Sequence, residues 1–146
     1  MKKDLFQRAC LSFLNIPYRW GGDDPMWGFD CSGLVEEVLS IIGCKPPGRQ
    51  TAQGLYTLFL NQTQSGKSNI RDVGTLAFFG SSVAAITHVA MLIDEETIIE
   101  AGGGDHTTVS SDVAASQNAF VKLRPLSYRQ DLVALLRPVR VDVKLE

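Results

Sequence analysis

Residues 17–35 read PYRWGGDDPMWGFDCSGLV, and this stretch decides how the chain is understood. A turn-forming, glycine-rich segment runs into Asp30-Cys31-Ser32-Gly33. A strongly patterned helix begins there, with Leu34, Val35, Val38, Leu39 and Ile42 on one stripe and Glu36, Glu37 and Ser40 off it. A cysteine at such a junction meets unpaired backbone N–H groups and the positive end of the helix dipole, and both favour a thiolate. A lone cysteine is more often a small buried hydrophobe, but this setting reverses the balance. Cys31 is the candidate nucleophile.

Upstream, Leu5, Phe6, Ala9, Cys10 and Phe13 have the spacing of one helical face, so a helix is predicted over Leu5 to Leu14 and ended by Pro17. Gly43 and Pro46-Pro47 stop the second helix. A third is predicted to start with Thr51 as N-cap and to pack Leu55, Leu58 and Phe59. Asn61 to Asn69 reads as a loop. Beyond it, Thr75 to Phe79, His88 to Ile93, Thr97 to Ala101 and Phe120 to Leu123 are short, rich in β-formers and separated by turn signals. Leu132 to Val139 adds a last strand, which Pro138 puts at an edge or near an end. Helices followed by strands predict an α+β fold, with the helices packed on a central antiparallel sheet. No repeat or linker divides residues 1–146, so one domain is expected.

Composition excludes several function classes. The chain has 146 residues, 45% hydrophobic and 21% charged, with a formal net charge of −2. Such a balance carries no electrostatic footprint for nucleic acid, and the apolar runs are too short to span a bilayer. The N-terminus, MKKDLFQRACLSFLN, is interrupted by Asp4, Gln7 and Arg8, so it reads as a folded helix rather than a signal peptide. Cys10, Cys31 and Cys44 are odd in number and well spaced, which fits a reducing compartment better than a disulfide framework. With two histidines and no CxxC pair, neither a metal site nor a cofactor is implied. Cys10 and Cys44 lie on or just after helical stripes and read as structural.

Cys31 needs a base. His88 opens the apolar strand HVAMLI, and a histidine held by a strand against a helix N-terminus makes a workable Cys/His pair. Judged on its strand alone, His88 is as readily a core histidine. A third group normally orients the imidazole and stabilises its charged form. If Asp94-Glu95-Glu96 forms a three-residue hairpin loop, Ala90 faces Glu100, and His88 and Glu100 become diagonal neighbours on one face. A two-residue loop would separate them. His106, beyond Gly102-Gly103-Gly104, is the alternative third residue. The triple glycine is not followed by the Lys-Ser/Thr of a phosphate loop, and Asp94, Glu95 and Glu96 read as a solvated turn.

Tyr18, Trp20-Gly21-Gly22, Asp30-Cys31-Ser32-Gly33-Leu34-Val35 and His88-Val89, in this order, resemble the NlpC/P60 family of papain-like cysteine peptidases. The likeness extends to Arg49-Gln50-Thr51-Ala52-Gln53 and Gly74-Thr75-Leu76-Ala77-Phe78-Phe79, and covers roughly Phe6 to Val109. The resemblance implies a papain-like fold and hydrolysis of peptidoglycan stem peptides, typically between D-γ-glutamate and a diamino acid. It implies Cys31 as nucleophile and His88 as general base. Tyr18 would help hold the oxyanion, Asp30 and Ser32 would flank the nucleophile and contact the peptide's amino end, and Arg49 would lie near the cleft. Two positions depart from the family's pattern. Glu100 stands where His, Asn or Gln is usual, and Thr75 where Asp is common before the strand's Leu. An acyltransferase or amidase on the same scaffold, and an inactive wall-peptide-binding or assembly module, are the alternatives. Without a binding domain or signal, the chain resembles phage-encoded members. It is then expected to be cytoplasmic as synthesised, with a peptidoglycan peptide or muropeptide as substrate and a phage particle or other carrier as delivery partner.

Overall fold

The computed structural model describes residues 3–62 and 70–138. Its elements are α1 (Lys3–Leu11), β1 (Asp23–Asp24), β2 (Gly28–Phe29), α2 (Cys31–Ile41), α3 (Ala52–Gln62), β3 (Leu76–Gly80), β4 (Ile86–Leu92), β5 (Thr97–Gly102), α4 (Ser111–Ser116), β6 (Phe120–Pro125) and β7 (Leu132–Leu136). A single 3-10 turn at Leu126–Tyr128 joins β6 to β7. β1 and β2 pair as a small hairpin, and the other five strands form one antiparallel sheet in the order β6-β5-β4-β3-β7. The predicted α+β architecture is therefore present, with β7 at an edge of the sheet and Pro138 beyond its end.

Side chains alternate across the strands and sort the core into two layers. Phe78, Val89, Met91, Ile99 and Val121 pack with Leu34, Val38, Leu55 and Phe59 of the helices. Ala77, Phe79, Ala90, Leu92 and Ile98 gather on the opposite face with Leu126 and Leu135. β3 is buried at every position, which is why LAFFG reads as a continuous apolar run rather than an alternating one.

Several elements differ from the sequence-based expectation. α1 closes at Leu11, short of Leu14, because the next residues form turns and Asn15 takes a left-handed φ of 70°. Of the expected stripe, Phe6 and Cys10 are buried within the helix while Leu5 is 60% exposed. α3 continues through Asn61 and Gln62, and the rest of the expected loop lies outside the described residues. Thr51 caps α3 as predicted, its Oγ1 accepting from Gly54 N at 3.0 Å. β4 starts at Ile86, two residues before His88, and β7 ends at Leu136; Val139 is outside the described residues. α4 was not expected: Ser110 caps it by accepting from Val113 N.

The start of α2 is pinned to the Trp20-Gly21-Gly22 turn. Asp30 N donates to Gly22 O at 3.0 Å, and Gly22 N donates to Arg19 O at 2.8 Å. A Cβ placed on Gly33 would lie 1.9 Å from Gly22 O, so only glycine lets the helix approach this closely. Gly33→Ala must push α2 off the turn, a strain of about 3 kcal/mol. A urea midpoint well below that of the parent is the expected result, and an unchanged midpoint would refute the close approach.

Candidate active site

Asp30 is the N-cap of α2, in extended conformation, with Oδ1 accepting from Gly33 N at 2.7 Å. Its Oδ2 accepts from Gly21 N at 3.1 Å, tying the glycine turn to the helix. Cys31 thus opens the helix at a defined place, and it is partly exposed while Cys10 and Cys44 are buried. Burial pushes the Cys10 thiol up to about 12, despite a backbone hydrogen bond that favours its thiolate, which fits the structural role expected of it. Cys31 borders two hollows. One, of about 440 Å³, is lined by Asp30, Ser32, Arg49 and Thr51; the other, of about 270 Å³, by His88, Gly102 to Asp105, Tyr128 and Arg129. Tyr18, Trp20 and Thr87 border both.

The β4–β5 hairpin sets the histidine. Met91 pairs with Ile99, Leu92 with Ile98, and Ile93 N donates to Thr97 O at 2.9 Å, leaving Asp94 to Glu96 as the three-residue loop. Asp94 Oδ1 holds this loop by accepting from Glu96 N and Thr97 N, each at 2.8 Å. In this register His88 and Glu100 share a face, and His88 Nε2 donates to Glu100 Oε1 at 2.8 Å. Nδ1 is then the nitrogen not engaged by Glu100, and His88 lines the same hollow as Cys31. Burial works against the His88 charge. Hydrogen bonds to Cys31 and Glu100, and the negative charge of both, outweigh it and push the imidazole up to about 9. Burial likewise opposes ionisation of Glu100, but the bonds to His88 and Tyr128 hold its carboxyl below the usual range. His106 is elsewhere: it is exposed and packs edge-on against Trp20, with ring centroids 6.3 Å apart. The structure brings Glu100, not His106, to the imidazole.

Arg49 closes the other side of the cleft. Its guanidinium donates to Glu36 Oε2 at 2.5 Å, to Asp30 Oδ1 at 2.7 Å and to Ser32 Oγ at 3.2 Å. Burial disfavours the Arg49 charge, yet Asp30 and Glu36 hold its pKa above the ordinary value. Glu36, read from the sequence as off the apolar stripe, is 1% exposed. Its Oε1 accepts from Gln50 N at 2.7 Å, so this buried carboxylate fixes both Arg49 and the chain leading into α3. Tyr18 is 6% exposed, and a Cβ on Gly104 would meet its ring at 2.2 Å. That close packing is what the triple glycine supplies here. Burial first, then the charges of Cys31, Asp30 and Asp105, push the Tyr18 phenol upward, so it remains a neutral donor. Thr75 is buried, donating to Ile70 O and accepting from Arg137 Nη1, a structural role.

Sequence reasoning did not find Glu36 or Tyr128 at the site. Glu36 had a usable signal, since it lies four residues after Ser32 and therefore on the same helical face. Tyr128, whose hydroxyl lies 2.6 Å from Glu100 Oε2, is 28 residues away and had none. The capping role of Asp30 was not read either, although its place immediately before the helix carries that signal.

The NlpC/P60 family model matches residues 15–124. A bifunctional muramidase/DL-endopeptidase, CwlT, of Bacillus subtilis (strain 168) is 35% identical over 88 residues, covering 59% of this chain and 25% of its own length. A gamma-DL-glutamyl hydrolase of the same organism is 27% identical over 104 residues, covering 67% of this chain and 23% of its own. The chain thus spans about a quarter of these relatives. Among solved structures, an NLP/P60 family protein of Staphylococcus aureus Mu50 superposes with a TM-score of 0.67 at 25% identity, over 94% of this chain and 41% of that one.

The His88 pair gives a pH-dependent stability. An unfolded histidine titrates near about 6.5, below the folded value of about 9. The contribution is therefore complete below pH about 6.5 and is lost as pH rises through about 9. The parent's urea midpoint is expected to fall across that interval more steeply than that of His88→Ala. Parallel curves would show that the pair does not hold its proton in the folded state.

Proposed function

Because the chain belongs to the NlpC/P60 family, we propose that it is a cysteine peptidase hydrolysing peptide bonds of peptidoglycan stems. The observation that carries this is Cys31 at the capped start of α2, lining one hollow with an imidazole that Glu100 holds from behind. The relatives' activities, a DL-endopeptidase and a gamma-DL-glutamyl hydrolase, favour the bond after a D-γ-glutamyl residue.

His88 takes the Cys31 thiol proton as Sγ attacks the amide carbonyl carbon, and the backbone N–H of Cys31 with the Tyr18 hydroxyl receives the oxyanion. The C–N bond breaks as His88 gives its proton to the departing amine, leaving an acyl thioester on Cys31. Water then adds to the thioester while His88 takes one of its protons and returns it to the departing Cys31 sulfur, which releases the free acid and restores the thiol. Since His88 serves the amine, the leaving half lies in the hollow with Gly102 to Asp105, Tyr128 and Arg129. The acyl half occupies the hollow lined by Asp30, Ser32 and Arg49. There Asp30, neutralised in part by Arg49, faces the peptide's amino end.

Cys31→Ala should fold like the parent and release no peptide from purified muropeptides, followed by mass spectrometry. Residual turnover by that variant would sink the assignment. Glu100→Ala should lose about 10²-fold or more in kcat/KM, while His106→Ala stays within about twofold, since His106 contacts Trp20 rather than His88. Equal rates for Glu100→Ala and the parent would remove Glu100 from the mechanism.

A further inference from the structure

One partly buried contact has no part in the steps above. Tyr128, the last residue of the 3-10 turn, places its hydroxyl 2.8 Å from Oε1 and 2.6 Å from Oε2 of Glu100. Oε1 also accepts from His88 Nε2 at 2.8 Å. Glu100 is 2% exposed, so its carboxylate has no ready access to water. On its far flank a Cβ on Gly102 would lie 2.8 Å from Oε2, and glycine there leaves the carboxylate its room. His88, Glu100 and Tyr128 therefore form one hydrogen-bonded line, from β4 through β5 to the turn before β7, and Cys31 of α2 lines the same hollow as His88.

The charge of Glu100 makes this contact consequential. A full carboxylate against an imidazole stabilises the imidazolium strongly in a buried site. A proton held that firmly is slow to pass to a departing amine. A phenol donating to the same carboxylate competes for its charge and also fixes its plane. We propose that Tyr128 is a positioning residue whose hydroxyl holds the Glu100 carboxylate against His88 and takes up part of its charge, so that the imidazolium surrenders its proton to the leaving group. This inference rests on the reading of His88 as the proton carrier.

The other ionisable groups around His88 are Cys31 on α2, Tyr18 before β1, Asp105 after β5, and Arg129 and Asp131 ahead of β7. Arg129 and Asp131 pair with each other at 2.8 and 2.7 Å, which largely cancels their charges. Arg129 also covers the Phe79 ring at 4.9 Å, and that ring packs against His88 at 5.6 Å. Among the described residues, Tyr128 is the side chain besides His88 that hydrogen-bonds Glu100.

The test titrates the His88 imidazole by NMR in Cys31→Ala protein, which needs no substrate. Tyr128→Phe keeps the ring and its packing under Arg124, 5.1 Å away, and removes only the hydroxyl. The expected result is a His88 midpoint higher by about half a pH unit, a threefold gain in proton affinity. The same substitution on a Glu100→Ala background should move it not at all. In the enzyme with its thiol, Tyr128→Phe should lower kcat several-fold and leave KM near the parent value. An unchanged or lowered midpoint, or a shift that persists without Glu100, overturns the proposal. A parent that cleaves no muropeptide refutes the hydrolase reading instead, and the two failures are read from separate experiments.

Discussion

Asp30 receives the Gly33 amide and the Gly21 amide on its two carboxylate oxygens, and the Arg49 guanidinium on the first of them. Three pieces of chain meet at that one group: the start of α2, the glycine turn before it, and the segment that leads into α3. Glu36 secures the third piece from within the core, and it is a buried carboxylate that Arg49 alone among the described cations contacts. Such a pair contributes little net stability, since burying both charges costs nearly what their attraction returns, but removing one partner leaves the other stranded. The consequence is positional. Cys31 is held where the unpaired amides of the first helical turn converge, by contacts on either side of it in the chain.

The second half of the site comes from the sheet. Because the hairpin between β4 and β5 has a three-residue loop, His88 and Glu100 fall on the same face. One residue more or fewer would send Glu100 to the opposite layer, among the helices. The cleft is thus the meeting of a helix end and a strand pair, each rigid in itself. Side chains borne on such elements keep their separation better than side chains borne on loops.

The Glu100 carboxylate against the imidazole changes the electrostatics of this arrangement. The imidazole is raised to about 9 although it is buried, so it holds its proton more firmly than an ordinary histidine does. Tyr128 bears on that balance from the far side of Glu100, and Arg129 braces the same corner through the Phe79 ring. The turn between β6 and β7 is therefore more than a connection.

Much of this molecule was written in local pattern. The helical stripe after Cys31, the cap at Thr51, the five strands and the hairpin loop at Asp94 to Glu96 all follow from periodicity and turn chemistry, which act over a few residues. Cys31 and His88 were legible from their places at a helix start and on a strand, while Glu100 and His106 stood as alternatives that the hairpin's loop length decided. Helix α4, the early end of α1 and the burial of Glu36 were not read, since each depends on what the rest of the chain packs against it. The contact of Tyr128 with Glu100 is the extreme case, joining residues 28 apart through the return of β6 alongside β5. The sequence by itself determined most of the elements and the setting of Cys31 at a helix start, and it left the face of Glu100 to the length of one hairpin loop. Only the tertiary structure decided which charges are buried and which groups neutralise them, because desolvation is set by every element that closes over a site and not by the neighbours of a residue in the chain.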